Sequence, residues 1–153
     1  MTHTIVLAVH IAVGALGVVL GPFAIAAAAR GRAGRLGSVY HLSVALVCVS
    51  AAGLAALDPA RLWWFVLIAA GSYAFAARGM SAIRAGRSGW PARAVRGFGG
   101  AYIALWTAVL VVGVPAQPIL WAVPTVVGII ALEWFAARVG RRQQTPAADP
   151  IRR

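Results

Sequence analysis

The chain has 153 residues, of which 61% are hydrophobic and 11% charged. Soluble domains carry about 45–50% apolar and about 25% charged residues, so a water-soluble globule is excluded. A length of one domain and that much apolar surface point to a protein embedded in lipid.

The net charge of +11 comes from fourteen arginines against three acids. In a soluble protein such a balance would suggest nucleic-acid binding. Here the arginines fall in short runs between apolar stretches, the pattern of membrane topology, and no nucleic-acid partner is expected. The single cysteine, Cys48, lies inside an apolar run and reads as a small buried hydrophobe.

Five apolar runs are predicted as transmembrane helices of an all-α bundle: about 5–29, 39–57, 62–77, 98–114 and 119–139. Most approach the ~20 residues that cross ~30 Å of hydrocarbon; the third and fourth are short. Lipid offers no partner to a free amide, so each run must be helical. The first is not a typical cleaved signal, because no positive charge precedes it and arginines follow it.

Chain order then predicts orientation. With the N-terminus outside, the connections after helices one and three and the C-terminal segment are cytoplasmic. They hold thirteen of the fourteen arginines and leave Arg61 outside, in accord with the positive-inside rule. Arg30, Arg35, Arg78, Arg96 and Arg138 are the expected inner-face anchors. The turns "DPAR" (58–61) and "PAQP" (115–118) are short and force antiparallel neighbours. The stretch 79–97 is predicted to be a long cytoplasmic connection lying on the inner headgroups, where basic residues favour anionic lipid. Residues 1–140 are expected to form one transmembrane domain, and 141–153 a polar, disordered cytoplasmic tail.

Two constellations stand out. Gly14, Gly17 and Gly21 lie within about 40° of His10 around a helix. The stripe reads either as a surface for close helix packing or as room for a flat cofactor such as haem ligated by His10. The haem reading lacks a second ligand, since His41 belongs to the other end of the bundle and His3 to a short free end. The second constellation is Glu133 in "VGIIALEWFAARVGRR". An acid at that depth is costly. It reads either as a partner of Arg96, Arg138 or His41, or as a carboxylate that handles protons or a ligand. Asp58 is expected to cap or form its turn. No catalytic pair, metal cluster or phosphate loop is present, no catalytic residue is assigned, and "GFGG" (97–100) reads as a glycine run at a helix start.

The stretch "HIAVGALGVVLGPFAIAAAARGRAGRLGSVYHLSVALVCVSAAGLAAL" (10–57) resembles the opening half of a widespread uncharacterised family of small bacterial multipass membrane proteins. The shared features are His10, Gly14 and Gly21, an arginine-rich loop, and Gly37-x-x-Tyr40. "WWFVLIAAGSYAFAARGMSAIR" (63–84) is also similar, and the likeness spans roughly residues 8–112. Relatives often carry His-Arg pairs where this chain has Gly34-Arg35 and Val95-Arg96. The resemblance implies a bacterial inner-membrane location and no particular reaction.

Three functions remain open. The first is a structural or accessory membrane protein that binds a lipid-like molecule between helices. The second is an oligomeric small transporter or channel using Glu133 and His10. The third is a redox or isoprenoid enzyme of the membrane. The expected partners are the bilayer and either further copies of the chain or another membrane protein.

Overall fold

A computed structural model describes residues 2–114 and 118–144 of the chain. It is all-helical: α1 (Thr2–Ala29), α2 (Gly34–Leu57), α3 (Pro59–Ala85), α4 (Trp90–Gly113) and α5 (Pro118–Gln144). All five are long and apolar enough to cross a membrane. Residues 115–117, within the expected 115–118 turn, and residues 145–153, within the expected tail, lie outside the described residues; residues 141–144, also expected in the tail, belong to α5.

The connections follow from backbone chemistry. Gly31 ends α1 at φ 71°. Its N–H donates to the Ala28 carbonyl, and the Arg32 N–H reaches back to Ala27, the paired bonds of a glycine-capped helix end. Asp58 alone joins α2 to α3. Its N–H closes on Leu54, its carbonyl accepts from Leu62, and Pro59 opens the next helix, where a missing N–H costs nothing. The Asp58 side chain makes no cap, so the residue forms the turn through its backbone.

The expected long connection over 79–97 is corrected. Helix α3 runs on to Ala85 and α4 starts at Trp90, leaving only residues 86–89 between them. Gly86 (φ 58°) and Gly89 (φ 72°) take the left-handed backbone at its two ends. The physical reason is packing. Ala82, Ala92, Ala94 and Val95 are buried, so the helices continue past the apolar runs and carry the arginines on their exposed sides. Helix α2 likewise begins at Gly34 rather than at 39.

Helices α1 to α4 form a closed ring of neighbours, with α4 returning to α1, and α5 docks on the flank of α4. The tightest packing lies toward the end where the α1–α2 and α3–α4 connections meet, the arginine-rich end. Tyr40, Val44, Val95 and Phe98 are the largest fully buried side chains. Tyr40 meets Phe98 edge to face at 5.3 Å and donates its hydroxyl proton to the Phe98 carbonyl at 3.2 Å.

The "GFGG" run, read from sequence as a helix start, lies in the buried part of α4 and packs against several helices. A methyl on Gly97 would strike the backbone of Gly79 and the Phe75 carbonyl oxygen. The Phe98 ring fills the space left by Gly79 and Gly37, Gly99 accommodates Leu132 of α5, and Gly100 accommodates Phe75 of α3.

These glycines differ from Gly71, which has open space around it. Gly97→Ala must push backbone against backbone and is expected to destabilise the protein by about 1–3 kcal/mol, the scale of overpacking. Gly71→Ala should be neutral or stabilising by up to ~1 kcal/mol through helix propensity. Unfolding of the two variants in detergent, measured side by side, tests this; equal stability would contradict the close crossing of α3 and α4.

Candidate functional site

The glycine stripe of α1 meets two helices. A methyl on Gly17 would press on Leu105 at 3.3 Å and on the Ser43 hydroxyl at 3.5 Å, and Gly21 is covered by the Tyr102 ring. Gly14 is looser, with Val47 4.0 Å away. The face that a flat cofactor would need is thus filled by side chains of α2 and α4.

His10 Nδ1 lies 2.9 Å from the Ser50 hydroxyl, which also reaches the Leu46 and Val47 carbonyls. His41 is nine residues from Ser50, about 13 Å along α2 at 1.5 Å per residue. Its ring lies 5.5 Å from that of Tyr73, and its Nδ1 is buried without a hydrogen-bond partner among the described residues. The two imidazoles therefore do not form a pair for a haem, and the residues around His10 do not fit one. Among the described residues no three His, Cys, Asp or Glu side chains gather as a metal site.

Glu133 finds its partner on α4. Both carboxylate oxygens accept from Nε of Arg96, at 3.1 and 2.9 Å. Of the three partners weighed from sequence, Arg96 is the one engaged: Arg138 lies over the Trp134 ring at 5.4 Å, and His41 belongs to α2, whereas α5 docks on α4. The side chains of Arg96 and Glu133 are 44% and 55% exposed, so the pair does not lie in the packed core. It borders a groove.

That groove runs along α4 between α3 and α5 and has a volume of about 1030 Å³. Its construction is periodic. Arg93, Arg96, Gly100, Ala104 and Thr107 share one face of α4 at three- and four-residue steps. Phe75, Arg78, Ala82 and Ala85 do the same on α3, with Ile68 two turns before Phe75, and Thr125, Ile129 and Leu132 with Glu133 on α5. Gly97 and Gly100 keep the floor low.

The groove has two chemically distinct ends. Arg78, Arg87, Arg93 and Arg96 line the arginine-rich end, with Glu133 among them. Arg93 is tied to the short α3–α4 connection by a 3.3 Å bond from Nη2 to the Arg87 carbonyl. The body is formed by Ile68, Phe75, Ile103, Ile129 and Leu132. At the far end the Thr107 and Thr125 hydroxyls bond each other at 3.1 Å, and Thr107 donates to the Ile103 carbonyl. A second cavity of about 500 Å³ on the other side of α5 has no charged residue in its lining.

Sequence reasoning singled out Arg78, Arg96 and Glu133 and placed Arg87 in a connection, where it lies, but it placed Arg93, which belongs to α4, in that connection too and assigned no role to Thr125. The available signal was the common helical face of Arg93, Arg96, Gly100 and Thr107, hidden by starting α4 at residue 98. Arg30 and Arg35 are exposed at the arginine-rich end, outside this groove. His10 and Glu133 lie in different helix pairs, so they do not share a site.

Half-exposed ion pairs contribute little to stability, about 0–1 kcal/mol. Glu133→Gln is therefore expected to move the melting temperature in detergent by less than about 4 °C. A larger fall, followed by circular dichroism, would mean that the pair holds α5 in place.

Compared with known proteins, the chain matches no family model, no curated protein and no solved structure; its groove is the basis for a functional reading.

Proposed function

We propose that this is a five-helix protein of the bacterial cytoplasmic membrane, N-terminus outside and C-terminus inside, whose accessory role is to hold an anionic lipid-like amphiphile in the α3–α4–α5 groove. The observation that carries the reading is the polarity of that groove, four guanidinium groups at one end and an apolar body behind them.

Orientation is supported by charge. Among the described residues Arg61 stands alone at the end opposite the other arginines. Such an asymmetry is maintained across a membrane by the cytoplasmic preference of basic residues. The resemblance to small bacterial multipass proteins agrees with this location. With the arginine-rich end inside, Arg78, Arg93 and Arg96 stand at the inner headgroup level, where each basic residue gains about 1 kcal/mol from anionic lipid. Guanidinium groups suit phosphate oxygens in particular, because their N–H donors are planar and paired. The uncharged second cavity offers a headgroup no such partner.

A transporter or redox enzyme draws less support. The polar groups such a pathway needs, His10 and Glu133, are separated, and His10 is engaged by Ser50.

Two measurements test the proposal. Reporters placed in the 86–89 connection and after Arg153 should read as cytoplasmic, and a tag before Met1 should be reachable from outside; the reverse pattern would overturn the orientation. In nanodiscs of phosphatidylcholine doped with phosphatidylglycerol, the protein should bind the anionic lipid preferentially. Arg78→Ala and Arg93→Ala should each reduce that preference about fivefold, the equivalent of ~1 kcal/mol per basic residue. Equal binding of the zwitterionic lipid by the unaltered protein would sink the reading.

A further inference from the structure

We infer that the amphiphile is a phosphate-headed lipid of the inner leaflet whose phosphate binds the free edge of the Arg96 guanidinium, and that Glu133 is the positioning residue that presents that edge. The inference rests on the groove's role proposed above and assigns its ligand class and the part played by its one carboxylate.

Arginine has five N–H donors. Glu133 engages only the one on Nε, with both of its oxygens. The four donors on Nη1 and Nη2 have no partner among the described residues, and Arg96 lines the groove. An unsupported arginine side chain explores many rotamers. A carboxylate fixed on Nε removes much of that freedom and leaves a planar edge of parallel donors, the geometry that two phosphate oxygens accept. Arg93 stands one turn away on the same face of α4, and Arg78 faces α4 from α3.

The length of the groove fits the tail. Arg96 and Thr107 are eleven residues apart, about 16 Å along α4. That is roughly half of the ~30 Å hydrocarbon thickness, the depth of one leaflet. At that end Thr107 donates to the Ile103 carbonyl and accepts from Thr125, so both hydroxyl protons are used and a tail terminus meets no unpaired donor there.

Charge alone predicts the opposite role for Glu133. A carboxylate near a phosphate repels it, and removing it should strengthen anionic binding. Positioning predicts weakening, so the sign of the effect decides. Glu133 is half-exposed and already paired with Arg96, which limits its direct repulsion.

The experiment measures lipid preference in phosphatidylcholine nanodiscs doped with phosphatidic acid or phosphatidylglycerol, with melting temperature as a control. Glu133→Gln should lower the preference for both phosphate lipids about tenfold, the scale of a hydrogen bond to a charged group. Glu133→Asp keeps the charge but withdraws the carboxylate by one methylene, and it should also lose preference; this variant carries the test if Glu133→Gln does not fold. Arg96→Lys, which cannot hold the carboxylate and the phosphate on two edges, should fall as far as Arg96→Ala. Unchanged or tighter phosphate-lipid binding in Glu133→Gln, or wild-type preference in Glu133→Asp, would overturn the positioning role while leaving the groove's function standing. Loss of preference in the unaltered protein would remove both. Displacement of the lipid by excess glycerol phosphate would overturn the lipid assignment, because the headgroup alone would then account for binding.

Discussion

The close crossing of α3 and α4 at Gly79 and Gly97 is the contact on which the rest of the bundle depends. The two backbones meet where neither residue has a side chain. For helices that cross a membrane, lipid supplies no hydrophobic drive for one helix to leave it for another, so packing contacts and hydrogen bonds must hold such helices together. A crossing without intervening side chains maximises those contacts. It also sets the depth at which Phe98 enters the core, against Gly37 of α2 and beneath the edge of Tyr40. One short run, Gly97 to Gly100, thus sets the spacing of α4 from α3 and α5 and the position of the buried Phe98 ring.

The same run shapes the groove. Gly97 and Gly100 line it, and side chains there would meet the α3 backbone and the Phe75 ring and push α3 away from α4. Helix α5 docks on α4 without closing onto α3, leaving a slot beside α4. The arginines enter because α3 and α4 continue as helices beyond their apolar runs. A helix projects Arg78, Arg93 and Arg96 at fixed angles toward a common line. The same residues in an extended loop would share no such line.

Glu133 illustrates how context assigns a role. On an isolated helix five, an acid within an apolar run is a cost with several remedies. In the fold it faces α4 across from Arg96, at the rim of a groove rather than in the core. Its weak expected contribution to stability and its placement among four arginines together favour a part in ligand binding over one in holding the bundle together.

Hydropathy by itself determined that five segments are helices long enough to span a membrane, because a chain this apolar, in lipid, has no other way to satisfy its backbone amides. The arginine runs determined which helix ends lie together. Hydropathy did not reveal that α3 and α4 extend to Ala85 and back to Trp90, because charged helical ends and charged loops have the same composition. The glycine stripe of α1 was legible as a pattern, but the occupants of its face, Tyr102 and Leu105, come from a helix more than eighty residues away in sequence. The choice of Arg96 for Glu133, and the meeting of four arginines with two threonines along one slot, were decided only by tertiary structure. Each depends on the rotation of one helix against another, which is set by the steric fit of side chains from distant parts of the chain.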